Sequence, residues 1–150
     1  MLSKPKAGWS EFSLGDFKTC VSYLVDIPFD WLISCKNAMK HNIPVSFFLE
    51  LEGEECIVTS YNTHTHIVIS DDEDEYMLKT VCNVDFIDLS AMLLEDIKKF
   101  FDDWVKWSPY EQTQEDFARR QAALKELIEE TEEYLALADR KSTRLNSSHL

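Results

Sequence analysis

Between Val45 and Glu52, apolar Val45, Phe47, Leu49 and Leu51 alternate with Ser46, Phe48, Glu50 and Glu52, the period-two pattern of a strand with one buried face. Glu52-Gly53-Glu54 supplies a turn, Glu55 to Tyr61 returns as a second strand, Asn62-Thr63 turns again and His66 to Ser70 makes a third. The acidic run Asp71 to Glu75 reads as a loop, with Tyr76 to Cys82 as a fourth strand. Spacers this short favour an antiparallel meander, because parallel pairing needs a crossover of about a dozen residues.

On either side the period lengthens to that of helices. Pro28 suits a first helical turn, with Asp26 as a cap, and Trp31, Leu32, Cys35, Ala38 and Met39 follow at helical spacing, predicting a helix from Pro28 to His41 that ends at Asn42 and Pro44. From Asp88 onward, Leu89, Leu93, Leu94, Ile97, Phe100, Phe101, Trp104 and Val105 recur at three and four. They predict one amphipathic helix from Ser90, its cap, to Trp107, with Pro109 as the break. A second long helix, Gln112 to Ala138, carries Phe117, Leu124, Leu127, Ile128, Thr131, Tyr134, Leu135 and Ala138 near heptad spacing, with a Glu-rich outer face. Its pattern spans too few turns for a free coiled coil, so it is expected to pack across the domain or as a hairpin with the preceding helix. Near the start, Trp9, Phe12, Leu14 and Phe17 within Gly8 to Phe17 read as a strand or an extended segment on the core.

The fold class expected is therefore α+β: a small antiparallel β-meander of about four strands packed against one N-terminal helix and two long C-terminal helices. The 150 residues, 45% hydrophobic with only three glycines and four prolines, fit one globular domain with one core. Asp139 to His149 reads Asp-Arg-Lys-Ser-Thr-Arg-Leu-Asn-Ser-Ser-His and looks like the in-frame translation of a short-read sequencing adapter. Residues 1–138 are accordingly expected to form the acidic domain, and 139–150 a disordered, non-native tail.

The net charge of −13 becomes −15 on residues 1–138, since Arg140, Lys141 and Arg144 outweigh Asp139 by two. Phosphate backbones are bound by clustered Lys and Arg, so direct nucleic-acid binding is not expected, and anionic membranes are disfavoured on the same ground. The partner such a field favours is a basic protein. Cys20, Cys35, Cys56 and Cys82 are scattered with no CxxC pair, and the chain shows neither a signal-peptide core nor a membrane-length apolar stretch, which predicts free thiols in a reducing cytoplasm.

Candidate chemistry is sparse. His64 and His66 would share a strand face, as a two-ligand metal site requires, with a third ligand available from Asp71 to Glu75. Those five carboxylates lack EF-hand spacing and its central glycine. No Gly-x-Ser-x-Gly elbow, phosphate-cradling loop or thiol-base motif is present, so no enzyme activity and no cofactor are expected. Trp104, Trp107 and Tyr110 cluster near the helix break, and Trp and Tyr dominate interface energetics. The candidate partner-binding residues are thus Asp71, Asp72, Glu73, Asp74, Glu75, Trp107 and Tyr110.

The function expected is non-enzymatic binding of a protein, as by an acidic immunity or inhibitor protein matched to a basic toxin or nucleic-acid-binding protein. One rival is a self-associating accessory protein of phage or mobile-element type, a homo-oligomer formed through the C-terminal helix. Another is a small enzyme or metal-binding protein built on His64 and His66.

Overall fold

A computed structural model of the chain describes residues 1–70 and 75–140 in full and 141–148 as backbone. The N-terminal strand reading resolves into a hairpin, β1 (Trp9–Leu14) and β2 (Phe17–Ser22), joined by a two-residue turn at Gly15 and Asp16. Gly15 has φ +57°, and a Cβ there would stand 3.3 Å from Cβ of Cys82, so both the turn and the close approach call for glycine. Helix α1 (Ile27–His41) follows, with Pro28 in its first turn. Asp26 precedes it but makes no capping bond, because its carboxylate is spent on Arg120. Asn42 closes α1 in the left-handed conformation, donating its N–H to the Ala38 carbonyl.

The meander forms as the alternation predicts. Strands β3 (Val45–Glu50), β4 (Glu55–Ser60), β5 (Thr65–Ser70) and β6 (Tyr76–Cys82) make an antiparallel sheet in the order β3-β4-β5-β6. Its inner face presents Val45, Phe47, Leu49, Cys56, Val58 and Ile67 to the core. There Trp31 of α1 stacks on Phe47 with ring centroids 4.7 Å apart and meets Phe12 of the hairpin edge-on at 5.6 Å, joining three elements around one indole.

The expected single helix from Ser90 to Trp107 is two: α2 (Phe86–Lys99) and α3 (Phe101–Val105), separated at Phe100, whose φ of −115° and ψ of 39° leave the helical region. The cap of α2 is Asp85, which accepts from the Asp88 N–H at 2.8 Å. Ser90 is not a cap; it is fully buried inside the helix and donates to the Phe86 carbonyl. Helix α4 (Gln114–Ser148) starts at a reciprocal box in which Thr113 Oγ1 accepts from the Asp116 N–H and Asp116 accepts from the Thr113 N–H. Those bonds hold the Asp116 carboxyl below its ordinary range.

Of the two placements expected for the last helix, α4 takes the one across the domain, packing mainly against α1 and α2. Leu124, Leu127, Ile128 and Thr131 are buried in the chain's own core. Its backbone runs as helix beyond Ala138 to Ser148. Arg120 locks α4 in place. Its guanidinium forks onto both oxygens of Asp26 at 2.7 and 2.9 Å, its Nε donates to the Val105 carbonyl at 2.7 Å, and it lies 4.6 Å from the Phe29 ring. One side chain thereby ties the start of α1 and the end of α3 to α4.

Candidate partner-binding surface

The outer face of the four-stranded sheet is organised by register. Phe48 opposes Ile57, Ile57 opposes Val68 and Val68 opposes Leu78, so one apolar row crosses all four strands. Phe48 is 40% exposed and Leu78 60%, with Ile57 and Val68 half-buried between them. Beyond the row on one side come Ser46, Thr59, His66 and Val81. On the other side Glu50 stands directly opposite Glu55, with Glu52 and Glu54 in the connecting turn and Tyr76 across the sheet. Like charges directly opposed on a strand pair are unfavourable, so a cation brought to this end of the sheet would be favoured.

The histidine pair sits at the opposite end. Tyr61 and His64 close the β4–β5 turn, the Tyr61 N–H donating to the His64 carbonyl at 2.8 Å. The His64 and His66 rings lie 4.5 Å apart, each also packed on Tyr61, and His64 Nδ1 is 2.7 Å from Thr63 Oγ1. The two histidines are thus brought together, as their spacing suggests. Among the described residues no group of three His, Cys, Asp or Glu side chains is placed to hold a metal ion. Beneath the turn, Ser60 Oγ and Thr65 Oγ1 pair at 2.7 Å and Thr65 donates onward to the Val84 carbonyl, a buried polar chain that is fully bonded.

The aromatic candidates separate. Trp107 is 3% exposed, its indole N–H donating to the Val25 carbonyl at 2.8 Å, which removes it from the surface and makes it core. Trp104 is wholly buried 5.0 Å away, and its Nε1 has no hydrogen-bond partner among the described residues. Tyr110 is 81% exposed beside a shallow cleft lined by Lys106, Gln112 and Phe117, remote in sequence from the sheet. Asp71, Asp72, Glu73 and Asp74 lie outside the described residues. Glu75 is exposed immediately before β6.

A second concavity, about 540 Å³, lies where the ends of α1 and α2 meet α4, lined by Met39, Lys40, Asn62, Phe86 and Tyr134 with Asp85 at its rim. Its volume suits a small molecule. The Asp85 carboxylate, however, is committed to capping α2.

The sequence missed the apolar row, although each member is visible in it. Phe48 falls among the outward positions of its strand, and Ile57, Val68 and Leu78 fall in register with it only once the pairing is known. Among the described residues no helix is long and apolar enough to cross a membrane. No protein-family model, no curated protein and no solved structure matches this chain.

Proposed function

We propose that the chain is a non-enzymatic protein-binding domain that captures a basic partner on the outer face of its sheet, in the manner of an immunity or inhibitor protein set against a basic toxin or nucleic-acid-binding protein. The observation that carries this reading is the outward-facing row Phe48, Ile57, Val68 and Leu78, exposed at its two ends and half-buried between them, beside the opposed Glu50 and Glu55. Contiguous exposed apolar surface with a charged margin is what partner sites look like, and the carboxylates determine the sign of the partner. The net charge of −13 extends the same preference to long range. Free Cys20, Cys35, Cys56 and Cys82 suit a cytoplasmic setting for this role.

The test is capture by the full chain and by a variant with Glu50, Glu52, Glu54 and Glu55 changed to Gln, each challenged with the same lysate and eluted in salt steps. A basic protein held by the first and lost by the second supports the reading. Equal retention by both, or retention of no basic protein, removes it.

A further inference from the structure

We propose that the open edge of β6, at Tyr76–Leu78, receives an extended segment of the partner protein as a fifth strand, apolar at alternate positions with Lys or Arg between them. The proposal rests on the basic-partner reading and specifies how that partner is gripped.

The two edges of the sheet are treated differently. At β3 the outward carbonyls are occupied: the Trp31 indole N–H donates to the Phe48 carbonyl at 3.3 Å and the Ser34 hydroxyl to the Ser46 carbonyl at 3.3 Å. Helix α1 thus shields that edge. Strand β6 is paired by β5 alone, and among the described residues Tyr76, Met77 and Leu78 make no hydrogen bond outside that ladder. Both of its faces are bare as well: Tyr76 and Leu78 on the outer side and Met77 on the inner are 62%, 60% and 52% exposed. An apolar strand with an open edge is a template for adding another strand. Lys79 falls in the bulge opposite Ile67 and Val68 and bounds the template on one side.

The surroundings select the occupant. An added strand places alternate side chains on the outer face, where apolar ones prolong the row from Phe48 to Leu78. Cationic ones answer the net charge of −13 and the opposed Glu50 and Glu55, which lie in the cross-strand row that ends at Tyr76. A second copy of this chain offers the opposite: each carries −13 and the same acidic run ahead of β6, so edge-to-edge pairing of two copies sets like charge against like.

The probes are a synthetic peptide of alternating Lys and Val, and its twin with every second backbone amide N-methylated, which keeps charge and side chains but blocks edge pairing. Each is titrated into the full chain, with amide hydrogen exchange read residue by residue. We expect the plain peptide to bind and to slow exchange at Tyr76–Leu78. The twin, and the plain peptide on Leu78→Glu, should bind weaker by about tenfold or more. Equal binding of the two peptides overturns strand addition and leaves the basic-partner reading standing, and binding of neither at low salt overturns both. A dimer that forms without peptide and dissociates on Leu78→Glu assigns the edge to a second copy and overturns the proposal.

Discussion

Two of the buried tryptophans, Trp104 and Trp107, make opposite demands on the core. Trp107 spends its indole N–H on the Val25 carbonyl, whereas that of Trp104 is buried without a partner among the described residues. Removing one member of a buried hydrogen bond strands the other, at about 1–3 kcal/mol, while removing an unsatisfied donor relieves a similar cost and offsets the lost packing volume. Trp107→Phe should therefore lower stability clearly more than Trp104→Phe in urea unfolding; equal losses would mean that cavity volume alone governs both sites. The thiols carry a second prediction. Burial pushes Cys35 and Cys56 up to about 12, with Ser90 partly opposing it at Cys35, whereas Cys20 is exposed. Because the native state holds these protons and the unfolded state releases them near the ordinary value of 9.0, stability should be unaffected by them below that pH and fall progressively above it. Cys35→Ala and Cys56→Ala should each flatten that alkaline loss. In thiol titration of the native chain Cys20 should react at once, with Cys35 and Cys56 reacting only on unfolding.

At the scale of elements, the helical spacing from Trp31, the alternation from Val45 onward and the periodicity from Leu89 onward were legible because each reports a single buried face, and α1, the meander and α4 follow from them. The break at Phe100 was not legible, since Ile97 and Trp104 keep the same helical phase whether or not the chain turns between them. Nor was the capping role of Asp85, which needs the Asp88 N–H brought to it, while Ser90 has the residue type of a cap but lies a turn inside. The apolar row belongs to this scale because it exists only across strands: sequence assigns Phe48, Ile57 and Val68 to faces one strand at a time, and pairing supplies the line. The opposed Glu50 and Glu55 yield a prediction here. Glu55→Lys converts a like pair into an opposite one and should raise stability by about 0.2–1 kcal/mol. The same change should weaken capture of a basic partner, a separation of stability from binding expected where a charge is kept for a ligand. A variant that loses both would place Glu55 in the architecture instead.

Across the whole molecule, carboxylates outnumber Lys and Arg by 28 to 15, an excess that the seven ion pairs among the described residues cannot remove, since a pair only matches a carboxylate to a cation and leaves the net charge unchanged. Several of those pairs, Lys98–Glu132 and Arg119–Glu115 among them, are exposed and add little on their own, whereas Arg120–Asp26 is held on the helix junction by further bonds to carbonyls. Self-repulsion, not pairing, is therefore the dominant long-range electrostatic effect on the folded state. Screening shrinks from about 30 Å at 0.01 M salt to about 3 Å at 1 M, so added salt should relieve the compact chain more than the expanded one. Thermal unfolding should accordingly shift upward between low salt and about 0.5 M NaCl, in parallel for the chain and for Arg119→Ala, while Arg120→Met starts lower and rises by a similar amount. Affinity for a basic partner should fall over the same range. A chain that gains stability while losing its partner as salt rises has its surplus carboxylates placed for association; if stability fell instead, surface ion pairs would outweigh repulsion and the excess charge would belong to the fold.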